Sequence, residues 1–116
     1  MLLSQLEVNR ILIEADSSAI SLRQLYQLYK SQHKKASISF LCRRCGIPSK
    51  GYLAFVMSGK RRLNAKYWAP MCEVFKLNYQ QAEVMRLLLE ADASPQHKEL
   101  YEPRMQALKS QLQVHA

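Results

Sequence analysis

Helix-breaking residues are scarce in this chain. Three glycines and four prolines serve 116 residues, and long stretches contain neither, which favours an all-α chain with little loop. No run reaches the roughly 18 apolar residues needed to span a bilayer. The start, Met1-Leu2-Leu3-Ser4-Gln5-Leu6-Glu7, lacks both a basic leader and an unbroken apolar run, so neither a signal peptide nor a membrane partner is expected. Three cysteines are an odd number for a disulfide framework. All three fall at apolar positions of predicted helices, so reduced thiols and a cytoplasmic home are the expectation. The most informative absence is acidic: residues 34–66 contain no aspartate and no glutamate.

The same window holds nine bases: Lys34, Lys35, Arg43, Arg44, Lys50, Lys60, Arg61, Arg62 and Lys66. Residues 1–33 carry three charges of each sign, and residues 67–116 carry five bases against six acids. The net charge of +8 therefore belongs to about one third of the chain. Clustered like charges repel, so folding does not call for this asymmetry. It suits a polyanionic partner, and nucleic acid is the usual one. The bland alternative is a solvated surface with its charges on several faces.

The chain is long enough for one domain with one modest core, since 48% of its residues are apolar. The expected fold is a bundle of five to six helices with an additional C-terminal helix. Ser4 and Glu7 have capping-box spacing ahead of Val8, Ile11, Leu12 and Ala15, which predicts a helix over 5–15. Ser21 and Gln24 form a second such box, predicting a helix over 22–33 along Leu22, Leu25, Tyr26 and Tyr29. Ser37 or Ser39 caps the next, over 39–45, which Gly46 ends. After Ile47-Pro48, Ser49 caps a helix over 50–58, with Leu53, Val56 and Met57 inward and Ser58-Gly59 closing it. Asn64 caps a helix over 65–76, within which Pro70 should produce a bend. Asn78 caps another over 79–92, and Ser94-Pro95 opens the last, which Pro103 is placed to interrupt. The domain reading is 1–93, with its core at about 21–92, followed by a helical extension over 94–116.

Two short helices joined by Gly46-Ile47-Pro48-Ser49, between longer ones, have the helix-turn-helix arrangement. The small Cys42 lies where the two helices would cross closely. The run Phe40-Leu41-Cys42-Arg43-Arg44-Cys45-Gly46-Ile47, then Tyr52-Leu53, Val56-Met57 and Gly59-Lys60-Arg61-Arg62-Leu63-Asn64, resembles the phage-repressor-like helix-turn-helix superfamily. It is most similar to a set of bacterial helix-turn-helix proteins numerous in predatory bacteria. Phe75-Lys76-Leu77-Asn78 fits the last element of that pattern, except that Lys76 replaces a usual glycine. The resemblance covers about residues 10–92. Long forms of the set continue into a larger C-terminal domain, whose activity is expected to be missing here.

The resemblance implies that helix 50–58 enters a major groove. Ser49, Lys50, Tyr52 and Ala54 would then face bases, with Phe55 next along the exposed face. Lys50 could donate to guanine, Tyr52 could bond a phosphate or a base edge, and Phe55 could touch a thymine methyl. Lys60, Arg61 and Arg62 lie in the turn that meets phosphates in the superfamily, and Arg43 and Arg44 lie on the helix that crosses the backbone. Lys66 completes the candidate set. Phosphate contacts set affinity and register, whereas base contacts set sequence preference.

Other readings start from residues too. Cys42-x-x-Cys45 invites zinc or redox chemistry, but Cys72, His33, His97 and His115 are not at ligand spacing. Small core residues are the plainer reading, Tyr52 and Phe55 are themselves candidates for the core, and no cofactor is implied. No phosphate-cradling glycine loop, H-E-x-x-H or paired-carboxylate pattern points to an enzyme or to a small-molecule substrate. Tyr101, Met105, Leu108 and Leu112 form a stripe that is either a homodimer seam, the favoured reading, or a lid on the chain's own core. The expected function is a small transcriptional regulator or nucleoid-associated factor that binds double-stranded DNA. The alternative is a protein-interaction module, docking a partner through Tyr52, Phe55 and the C-terminal helix as accessory to a longer paralogue. RNA binding ranks last, because an exposed aromatic platform is missing.

Overall fold

Most of the helices begin where a serine or asparagine side chain satisfies a free backbone N–H. The computed structural model describes residues 4–114. The opening Met1-Leu2-Leu3 and the metal-ligand candidate His115 lie outside the described residues. Ser4 accepts from the Glu7 N–H to start α1, Gln5–Glu14. Ser17 accepts from Ile20 to start α2, Ser18–Gln32. Ser37 and Ser49 cap α3, Ile38–Cys45, and α4, Lys50–Met57. Asn64 caps a 3-10 turn over Ala65–Tyr67 that runs directly into α5, Trp68–Val74. Asn78 and Gln81 cap each other's backbone at the start of α6, Tyr79–Ala93. A second 3-10 turn, Pro95–His97, leads into α7, Lys98–Val114. The fold is all-α, with no strand among the described residues, and no described helix is long and apolar enough to cross a membrane.

Three expectations change. The helix anticipated at 22 starts at Ser18, and Ser21 does not cap it. The Ser21 hydroxyl is buried and donates to the Ser18 carbonyl at 2.9 Å. The true start is held by Ser17 and by Asp92 of α6, whose carboxylate accepts from the Ser18 N–H at 2.8 Å and from its hydroxyl at 2.5 Å. Pro70 does not bend a helix interior. The 3-10 turn takes up residues 65–67, so Pro70 is the third residue of α5, where an N–H has no intrahelical partner to lose. Pro103 does not interrupt α7, which runs through it. The proline is exposed, while Met105, Leu108 and Leu112 beyond it are anchored in the core.

Packing divides the body into two linked groups. In one, α3 packs against α4 and α5; in the other, α6 and α7 pack against each other and both pack against α1. α2 touches α1, α4 and α6 and so joins the groups. Leu12, Leu22, Leu25, Leu41, Leu53, Met71 and Phe75 lie in one continuous core. An amide network centred on buried Gln81 fixes α1 against α6. Gln81, 1% exposed, donates from Nε2 to Gln5 Oε1 and to Asn9 Oδ1, both at 2.8 Å. Its own oxygen accepts from the Asn78 N–H, so no buried side-chain polar atom is left without a partner among the described residues.

The C-terminal stripe belongs to this core. Met105, Leu108 and Leu112 are buried and Tyr101 is half-buried against the chain's own helices. They are therefore covered and not presented as a dimer seam. The residues assigned to a C-terminal extension share one hydrophobic cluster with α1 and α6. Lys109 adds a polar tie, donating from Nζ to the Ala15 carbonyl at the end of α1 at 2.8 Å. Burial lowers its pKa, while the nearby Asp16 and Glu102 oppose that shift.

Three of the described residues have left-handed backbone: Gly46 (φ 74°), Gly59 (φ 81°) and Lys76 (φ 53°). Each follows the last turn of a helix. At Gly59 the N–H reaches the Val56 carbonyl and the next N–H reaches Phe55. At Lys76 the same pair of bonds runs to Glu73 and, from Leu77, to Cys72. This is the Schellman closure, which glycine adopts without the Cβ penalty. Lys76 thus occupies a glycine conformation with a lysine side chain. Replacing it, Lys76→Gly, should stabilise the fold by about 1 kcal/mol, seen as a higher urea midpoint with unchanged slope. An unchanged or lower midpoint would contradict the strain at this position. Leu112→Ala should cost about 2–5 kcal/mol. The loss should not vary with protein concentration, because the side chain is buried within one chain; a concentration-dependent melting temperature would instead point to an interface.

Candidate nucleic-acid interface

All nine cations of the 34–66 window are exposed. Among the described residues, the ion pairs of the chain involve Arg10 and Arg104 and none of these nine. Their placement follows from α4 and the turn after it. Ser49 spends its hydroxyl on the Tyr52 N–H, which fixes the start of α4 with exposed Lys50 as its first residue. Leu53, Val56 and Met57 turn inward, and Gly51, Ala54, Phe55 and Ser58 turn outward. Gly59 then reverses the chain, so that Lys60, Arg61 and Arg62 return along the flank of the same helix.

Tyr52 holds that return path. Its hydroxyl donates to the Arg62 carbonyl and accepts from the Asn64 N–H, both at 2.8 Å. Its ring carries the Arg61 guanidinium at 5.2 Å, and the Phe55 ring three residues on carries the Lys60 ammonium at 5.6 Å. Lys66 lies over Tyr67 at 5.2 Å, and the Tyr52 and Tyr67 rings are 6.2 Å apart. Pro48, Ser49, Tyr52, Arg61, Asn64 and Lys66 are among the residues lining a cleft of about 460 Å³.

The residues singled out from sequence therefore separate. Ser49, Tyr52, Arg61, Arg62 and Lys66 line the cleft. Lys50 stands at the start of α4 beside it, and Lys60 lies over Phe55. Ala54 and Phe55 are on the outer face of α4, with Phe55 47% exposed. Arg43 and Arg44 are exposed on α3 and outside the cleft, with Arg44 over the Phe40 ring at 5.8 Å. Lys34 and Lys35 occupy the loop between α2 and α3. Tyr52 is half-buried and its hydroxyl serves the backbone. Arg62 is partly committed as well, donating to the Ala93 carbonyl at the end of α6 at 3.2 Å. Tyr67 and Asn64 were missed as members of the site. Their only sequence signal was proximity to the basic run, because the bend that returns them to Tyr52 is tertiary.

Cys42 and Cys45 lie on the inward side of α3. The Cys42 thiol faces the Ser49 carbonyl across the α3–α4 crossing at 3.8 Å, so a small side chain there lets the helices meet. Among the described residues, no three His, Cys, Asp or Glu side chains are grouped to hold a metal ion. Burial pushes all three thiols up, Cys45 and Cys72 from 9.0 to about 11. Lys50 acts in the opposite sense on Cys42. No protein-family model, no curated protein and no solved structure matches the chain.

The thiol shifts set an alkaline limit. The folded chain keeps the Cys45 and Cys72 protons to about pH 11, whereas an unfolded thiol releases its proton near 9.0. Their contribution is complete below pH 9.0 and is lost as pH rises through about 11. Urea midpoints should fall across that window, and less steeply in a Cys45→Ala/Cys72→Ala variant. Identical alkaline slopes in the two proteins would refute the assignment.

Proposed function

We propose that this chain is a cytoplasmic, helix-turn-helix DNA-binding protein that works by occupying duplex DNA rather than by catalysis. It would act as a small transcriptional regulator or nucleoid-associated factor, with α3 and α4 as the two helices of the motif. The observation that carries the reading is the set of exposed cations without internal acidic partners, of which Lys50, Lys60, Arg61, Arg62 and Lys66 gather about α4 and its returning turn. An eight-residue helix flanked in this way is suited to a major groove, with the turn on the adjoining phosphates. Tyr52 supports the reading indirectly, since it orders the turn and offers its ring to Arg61.

Counterion release supplies the test. If roughly six cations meet phosphate, log K should fall against log[salt] with a slope of about −5. Arg61→Ala/Lys66→Ala should flatten the slope by about 2 and weaken all sequences alike. An unaltered slope in a gel-shift salt titration would remove these two side chains from the interface. Lys50→Ala should instead relax preference between sequences, and uniform weakening would reassign Lys50 to phosphate. A second reading rests on Phe55, whose exposed ring could anchor a partner protein. It predicts salt-resistant binding to that partner and no affinity for duplex DNA.

A further inference from the structure

The outer face of α4 is chemically unusual for a surface that reads bases. Gly51, Ala54, Phe55 and Ser58 are exposed, and Lys50 at its edge is the only long donor. Neither glutamine, asparagine nor arginine occurs on the helix, so the bidentate pairings that identify adenine or guanine are missing. Phe55, 47% exposed, is the large apolar side chain left open on this side of the molecule. Among the described residues, the other exposed large apolar side chains, Leu6, Tyr79 and Leu100, are on α1, α6 and α7.

Gly51 has no internal reason to be glycine. It sits in the first turn of α4 without the left-handed backbone of Gly46 or Gly59, and a Cβ built on it meets only the Ser49 hydroxyl, at an ordinary 3.7 Å. A glycine in a helix costs about 0.5–1 kcal/mol relative to alanine. Gly51 and Ala54 are three residues apart and so share a face. Together they leave the start of α4 low, while Phe55 rises beside them with Lys60 over its ring. The result is a helix that can sit deep in a groove and present an apolar ring, rather than hydrogen-bonding groups, to its floor.

We infer that α4 reads DNA through thymine 5-methyl groups, with Phe55 as the main specificity-determining residue and Gly51 and Ala54 giving it depth. The inference rests on the duplex-DNA reading and names the base feature that this surface takes. Thymine alone among the four bases places a methyl group in the major groove. A flanking set of unpaired cations holds such a helix against phosphates, which supplies the charge complementarity that an apolar protein partner would lack.

The test changes the DNA before it changes the protein. Duplexes retained by the full chain from a random pool are resynthesised with deoxyuridine in place of thymidine, which removes the methyl and keeps every hydrogen-bonding group. Affinity should fall about fourfold for each methyl contacted, with the salt slope unchanged. Phe55→Ala, checked for native helicity, should bind both forms equally with the wild-type slope. Equal binding of the two forms by the wild-type chain, no enrichment of thymine in the retained pool, or a difference that survives in Phe55→Ala would overturn the inference and leave salt-dependent DNA binding intact. Absence of salt-dependent binding to any duplex would overturn the DNA reading itself, and this inference with it.

Discussion

The Tyr52 hydroxyl bonds the Arg62 carbonyl and the Asn64 N–H, and these two bonds decide where the basic turn stands relative to α4. Without them the segment from Lys60 to Asn64 would be an exposed connection rich in like charges, with every electrostatic reason to splay. With them, the chain leaves Gly59, doubles back along Tyr52, and re-enters the core at Leu63. Trp68 closes the same bend by donating from its indole nitrogen to the Leu63 carbonyl at 2.8 Å. The backbone of the turn is therefore fixed from both sides, and its cationic side chains are left outward.

Aromatic faces take the place that carboxylates would occupy on an ordinary surface. Arg44, Lys60, Arg61 and Lys66 each lie over a ring. A cation over a ring is oriented yet keeps its full charge for an incoming anion, whereas a cation in a salt bridge has already met one. Each exposed stack is worth only about 0.5–1 kcal/mol, too little to be the source of stability. Its consequence is order in the side chains, which would reduce the entropy lost on binding the proposed polyanion.

Features set by neighbours in sequence were legible in the chain. The serine and asparagine caps at Ser4, Ser49, Asn64 and Asn78, the glycine closures at Gly46 and Gly59, and the inward faces of α3 and α4 all follow from spacing. Features set across the fold were not. Asp92 extends α2 backward by capping it from 74 residues away, so the local box at Ser21 pointed to the wrong start. A proline in sequence marks a break, yet Pro70 falls in a first turn because a 3-10 turn precedes it, and Pro103 is carried by the packing on either side. The amphipathic stripe on α7 was readable as a stripe, but only the apolar faces of α1 and α6 decide what covers it. In the candidate site, the basic run was visible at once. The splitting of Arg62 between solvent and the Ala93 carbonyl was not, nor was the inward turn of the Tyr52 hydroxyl.

The distribution of acids gives the final link between fold and surface. Of the nine acids, Glu7 and Glu14 lie on α1, Glu83, Glu90 and Asp92 on α6, Glu99 and Glu102 on α7, Asp16 between α1 and α2, and Glu73 alone on α5. Helices α1, α6 and α7 form one packing group, joined to the group of α3, α4 and α5 mainly through α2. The group that carries most of the acids also contains the Gln5–Asn9–Gln81 network, the Lys109 tie to α1 and the apolar stripe of α7. Its cohesion offsets the mutual repulsion of the basic group, and although Asp92 lines a cleft with Arg61 and Arg62, no ion pair among the described residues takes up any of the nine cations. A salt-bridged acid would steady the basic turn but compete with any polyanion for the same guanidinium and ammonium groups. Ordering by neutral rings and a tyrosine hydroxyl, in place of salt bridges, leaves the cations of the α4 side unpaired with carboxylates.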